Sequence, residues 1–132
     1  MKGVYVLIIS LRKDVNVKVG ALGKINFKKG TYAYVGSAQM NLQKRVERHL
    51  RKAKRRFWHI DYLLSNSDVK VLKVFYKIAP KAEECNIAAQ LSQKGFPVEA
   101  FGSSDCDCKS HILKVQGYDF LRESMHQLRT SQ

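Results

Sequence analysis

Acidic residues are scarce in this chain. Asp and Glu number 11 against 24 Lys and Arg, a formal net charge of +13 over 132 residues. That imbalance excludes a charge-neutral surface and favours a polyanionic partner: DNA, RNA or an anionic membrane surface. Charge enrichment for heat stability raises both signs, and here only one is raised. Cysteine is also sparse, at Cys85, Cys106 and Cys108. An odd count without a secretory signal argues against a disulfide framework and implies a reducing, cytoplasmic compartment. No apolar run reaches the roughly 18 residues of a membrane span. The run "GVYVLIIS" that follows Met1-Lys2 ends in "LRKD", with no small-residue cleavage site, and reads as a buried strand rather than a leader. Repeats, low-complexity tracts and linkers are absent, so residues 1–132 are expected to form one domain.

What is present suffices for a packed core, since 45% of residues are hydrophobic. The near-continuous apolar run "GVYVLIIS" suits a strand covered on both faces. "VNVKVGALGKINF" reads as a hairpin around "GALG". "TYAYVGS" is the next strand, with Tyr32 and Tyr34 on one face and Ala33 and Val35 on the other. A helix is predicted over Asn41–Arg56, its core side carrying Leu42, Val46, Leu50 and Ala53, with Arg45, Arg48, His49 and Lys52 on an adjoining face. "FWHIDYLLS" reads as a second helix, "VKVLKVFYKI" as a strand, and "KAEECNIAAQLSQKG" as an amphipathic helix with Gly95 as its C-cap. "FPVEAFGSSDCDCKS" reads mostly as loop, "HILKV" as a short strand and "DFLRESMHQLR" as a closing helix. The expected class is α+β: a small, largely antiparallel sheet covered by helices.

Between Lys44 and Arg56, eight of thirteen residues are Lys or Arg, and only Glu47 interrupts the positive block. Pairing at i,i+4 cannot neutralise such a block; a phosphate backbone would relieve its repulsion and release counterions. Lys44, Arg48, Arg51, Lys52, Arg55 and Arg56 are therefore the candidate nucleic-acid contacts. Tyr34 lies two residues before Gly36, where the chain turns toward this helix, and its phenol would stand near a phosphate held by Arg45.

These residues resemble a known family. "GVY" (Gly3-Val4-Tyr5), "YVG" (Tyr34-Val35-Gly36) and Leu42-x-x-Arg45, with Glu84 on a later helix, are similar to the signature of GIY-YIG nucleases. "GTYAYVGSA", "RVERHL", "WHIDYLL", "EECNIAAQL" and "FGSSDCDCKSHI" narrow the likeness to a subfamily common in archaea, whose members occur alone or fused to endonuclease-III-type repair glycosylases. The resemblance implies a DNA endonuclease with Mg²⁺ or Mn²⁺ as cofactor, associated with DNA repair proteins. It implies that Glu84 holds the metal, that Arg45 clamps the scissile phosphate, and that Tyr5 and Tyr34 position the attacking water. A weakly active or inactive DNA- or RNA-binding module on the same fold is the alternative.

Three departures from the signature stand out. Tyr5 and Tyr34 are separated by 28 residues, an excess that the hairpin accounts for. Ser37 follows "YVG", where many relatives carry Lys, His or Tyr, so His49, one turn beyond Arg45, becomes the candidate base. Glu83 is an alternative metal ligand to Glu84.

Two further clusters invite a functional reading. In "WHIDYLL", His59 and Asp61 are read as a local structural pair rather than as substrate contacts. Cys85, Cys106, Cys108 and His111 have the composition of a Cys₃His zinc site, and the Asp105–Asp107 loop adds two acids. Because C-x-C is less typical than C-x-x-C, no zinc is expected there. The plainer alternative is a buried, inert Cys85.

Overall fold

The computed structural model describes residues 2–20, 23–38, 40–51, 59–98 and 111–128, with the side chain of His59 outside them. The elements run β1 (Gly3–Leu11), β2 (Val15–Lys18), β3 (Lys24–Phe27), β4 (Gly30–Ala38), α1 (Leu42–Leu50), α2 (His59–Leu64), β5 (Val69–Lys77), α3 (Ala82–Ser92), β6 (Gly95–Pro97), β7 (Ile112–Val115), α4 (Leu121–Ser124) and β8 (His126–Leu128). Six strands form one sheet in the order β6-β7-β4-β1-β5-β8, every pairing antiparallel. The α+β class expected from the sequence is therefore what the chain adopts.

β1 lies between β4 and β5 and is buried nearly throughout. Its residues alternate between two cores. Tyr5, Leu7, Ile9 and Leu11 pack with Tyr32, Leu42, Val46, Ile60, Leu63 and the β2–β3 hairpin. Val4, Val6 and Ile8 pack on the opposite face with Ala33, Val35, Ile87, Leu91 and Leu121. A helical layer thus covers each face, which explains why β1 is an apolar run rather than an alternating one. Both edge strands span three residues, short enough to offer little template for sheet addition.

The hairpin grows from the Leu11–Gly30 end of the β1–β4 ladder, whereas Tyr5 pairs with Gly36 near the other end. It accounts for the long spacing between the tyrosine motifs without approaching them.

Four expectations change. The helix predicted over Asn41–Arg56 runs from Leu42 to Leu50, and Arg51 follows in extended conformation; Ala53 to Arg56 lie outside the described residues. Gly95 does not cap α3, which closes at Gln93; it opens β6 instead, where an added Cβ would lie 2.5 Å from the Lys114 carbonyl oxygen. That strand runs on through Phe96 and Pro97, the first residues of the stretch read mostly as loop. The closing helix is a single turn, because His126–Leu128 pair with Val74–Tyr76 at the sheet edge. Tertiary pairing there outweighs the local helical pattern.

Candidate active site

The two glycine motifs come together across β1 and β4. Tyr5 stands opposite Gly36, and a Cβ on Gly36 would lie 2.5 Å from both Cζ and the hydroxyl oxygen of Tyr5. The missing side chain at the end of "YVG" thus makes room for the phenol of "GVY". Gly3 is constrained in the same way by the Lys77 carbonyl, 2.5 Å from where its Cβ would be. Gly36→Ala should therefore displace the Tyr5 ring and cost about 1–3 kcal/mol, as overpacking does. Urea unfolding of the variant measures it, and wild-type stability would show that the ring moves aside freely.

On the first core face, α1 delivers Arg45 and His49. The helix starts at Asn41, whose side chain accepts a hydrogen bond from the Lys44 amide at 3.0 Å. That start sets Arg45 one turn in, where Nη1 donates to the Ser37 carbonyl at 3.1 Å. His49 does not lie on the adjoining face expected for it with Arg45, Arg48 and Lys52. It is 2% exposed, and its Nε2 lies 2.7 Å from the Tyr5 hydroxyl. Its ring also meets Tyr34 edge-on, with centroids 6.1 Å apart. Its spacing from Leu42 and Val46 places it on the helix's core stripe, a signal that its polarity obscured.

Behind His49 sits Asp61, fully buried. Its carboxylate receives both Arg48 guanidinium nitrogens at 2.9 Å, and its Oδ1 lies 4.0 Å from His49 Nδ1. Asp61 thus bonds to a residue thirteen positions away; the His59 side chain of the expected local pair lies outside the described residues. Arg48, assigned to nucleic acid from the sequence, is committed to this buried pair. Lys44 and Arg51 are exposed; Lys52, Arg55 and Arg56 lie outside the described residues.

From the opposite core, α3 presents Glu84, which is 7% exposed. Its Oε2 accepts from the Ser37 hydroxyl at 3.1 Å, and its Oε1 lies 3.1 Å from His111 Nδ1. Glu83 points elsewhere and pairs with Lys77 at 3.1 Å. Strand β7 pairs with β4 only as far as Tyr34, and beyond it the Val35 amide donates to the His111 carbonyl at 2.8 Å. Past that point the edge of β4 is uncovered by β7, and Arg45 and Glu84 approach Ser37 from the two sides of the sheet. Ser37, read from the sequence only as a poor base, joins them: its carbonyl holds the cation and its hydroxyl holds the carboxylate.

Burial pushes the Tyr5 phenol well above its ordinary value of 10.0, and the adjacent Arg45 guanidinium offsets only part of that. Tyr34 is raised for the same first reason, reinforced by the negative charges of Glu84 and Asp61. Both phenols therefore keep their protons at neutral pH. Tyr5 O–H can then donate to a bare His49 Nε2, the tautomer in which the ring hydrogen sits on Nδ1, toward Asp61. The folded phenols resist ionisation where free tyrosine ionises, so their effect on stability becomes unfavourable as pH rises past 10.

The Glu84 carboxylate fits a magnesium-like ion. Two donors orient it, each oxygen retains a lone pair, and such ions are held by one or two carboxylates while keeping several waters. Of the Cys₃His set considered for zinc, Cys106 and Cys108 lie outside the described residues. Cys85 is half-buried and disulfide-bonded, contrary to the expectation of reduced cysteines, so its sulfur is not a thiolate ligand. The partner cysteine, like the whole Ser104–Lys109 stretch, lies outside the described residues. Among the described residues no group of three or more His, Cys, Asp or Glu is arranged to hold a metal, and no helix is long and apolar enough to cross a membrane.

No curated protein and no solved structure matches the chain. A family model described as "Domain of unknown function DUF123" matches residues 4–131, nearly the full length, and the chain belongs to that family.

Proposed function

We propose that this protein is a divalent-metal-dependent endonuclease that hydrolyses DNA phosphodiesters in the cytoplasm, in the context of DNA repair. The observation that carries the proposal is the convergence on Ser37. A guanidinium and a carboxylate meet there, where β7 no longer pairs with β4, with two protonated phenols beside the guanidinium. Arg45 binds the scissile phosphate and stabilises the charge that develops on its oxygens. Glu84 would hold Mg²⁺, which when bound supplies charge neutralisation and an acidified water. Tyr34 orients the attacking water through its hydroxyl. Tyr5, hydrogen-bonded to His49, passes its proton to Nε2 as it receives one, so no free tyrosinate is needed. Lys44, Arg51, Lys52, Arg55 and Arg56 grip the flanking backbone.

The test is binding and cleavage of branched, nicked and abasic duplexes with Mg²⁺ or Mn²⁺. If about six phosphates are contacted, affinity should fall with salt at a log–log slope of about −5. A flat salt response would remove the nucleic-acid partner. The expected slope without cleavage of any substrate would leave a binding module, and cleavage of RNA alone would reassign the substrate.

A further inference from the structure

His111 opens the segment leading into β7 and is buried, held by its backbone as well as its ring. Its carbonyl accepts from the Val35 amide, and its Nδ1 meets Glu84 Oε1 at 3.1 Å. Against a carboxylate oxygen, Nδ1 must carry the hydrogen and donate. The other ring nitrogen, Nε2, is buried with no hydrogen-bond partner among the described residues. A buried nitrogen left unsatisfied is costly, and an apolar side chain would fill the same volume without that cost. Among the described residues, packing does not account for an imidazole here, and its one ring bond, to Glu84, does. On the other oxygen of the same carboxylate, Ser37 Oγ donates at 3.1 Å. Glu84 is thus gripped at both oxygens, from β4 and from the start of β7.

We infer that His111 is a positioning residue that sets the orientation of the Glu84 carboxylate for a divalent cation. The inference rests on the metal role proposed for Glu84. Its physical basis is that carboxylate ligands are fixed by hydrogen bonds from groups that do not touch the metal, and that losing such a group typically weakens metal binding by about 10- to 100-fold. Ser37, on a strand fixed between β1 and the Arg45 guanidinium, supplies the second such bond. Two bonds from different strands remove the carboxylate's freedom to swing about its last torsion.

Mn²⁺ titration followed by water-proton relaxation, without DNA, tests this on the full chain. His111→Phe keeps the volume and removes the donor; it should weaken Mn²⁺ binding about 10- to 100-fold, with circular dichroism confirming the fold. His111→Asn places an amide N–H where Nδ1 stood and should bind within about 3-fold of wild type. A merely structural histidine would not be rescued by the smaller asparagine. Wild-type affinity in His111→Phe, or an equal loss in both variants, would overturn the inference while leaving Glu84 as ligand. Glu84→Gln separates the two ideas. If wild type binds Mn²⁺ and Glu84→Gln binds equally well, or if wild type binds none, the metal role of Glu84 falls and this inference falls with it.

Discussion

Arg45→Ala and Glu84→Gln should each lower phosphodiester cleavage by at least about 10³-fold while DNA binding changes only a few-fold. Removal of one preorganised donor to a developing oxyanion typically costs about 10²- to 10³-fold, and Arg45 would contribute a full charge as well as its hydrogen bonds. Glutamine is chosen at position 84 because the side chain is buried. It keeps the shape and can still accept from Ser37, whereas alanine would leave a hole between α3 and the sheet. Affinity should persist because, on the proposed function, the basic segment beyond Arg45 would supply most of the phosphate contacts. Tyr34→Phe belongs with these variants: it removes one oxygen and little packing, and should slow the reaction by about 10²-fold. Single-turnover cleavage alongside fluorescence anisotropy separates the two effects. Wild-type rates in Glu84→Gln would remove the metal ligand from the mechanism, and parallel losses of binding and rate in Arg45→Ala would make that residue part of the grip rather than of the chemistry.

The second large effect is on stability. Arg48→Ala should destabilise the fold by about 3–5 kcal/mol, because it strips two guanidinium bonds from a carboxylate with no exposure to solvent. The double variant Arg48→Met/Asp61→Leu should recover most of that loss, since replacing both partners leaves no uncompensated charge. Urea unfolding of the three proteins measures it. A loss below about 1 kcal/mol in Arg48→Ala would place this pair with ordinary surface salt bridges and return Arg48 to the nucleic-acid surface.

Much of this arrangement was legible from residue order. The uninterrupted apolar run of β1 announced a central strand, and alternation in "TYAYVG" correctly put Tyr32 and Tyr34 on one face. The start of α1 followed from Asn41 and the Leu42–Val46 spacing. His49 was misplaced because its polarity was weighed above its position on the same stripe. The Ser37–Glu84 bond links residues 47 positions apart, which no local pattern encodes. His111 left a weak trace: strand alternation puts it with Leu113 and Val115, on the face that packs against α3. The disulfide at Cys85 escaped because an odd count excludes complete pairing but not a single bridge. The last strand escaped because only its neighbour β5 makes "HQL" extended.

The division of the site between two faces of the sheet has a consequence for a chain still being made. Tyr5, Tyr34 and Arg45 belong to the first half of the chain, and their layer of core draws mainly on residues up to Val74. Glu84 and His111 emerge later and depend on the opposite layer. Domains are synthesised from the N-terminus at about 5–20 residues per second, so the basic helix is exposed seconds before the carboxylate exists. On the proposed mechanism, a nascent or truncated chain could hold a polyanion before it could cut one. The docking of α3 would then be the moment at which a binder becomes a nuclease.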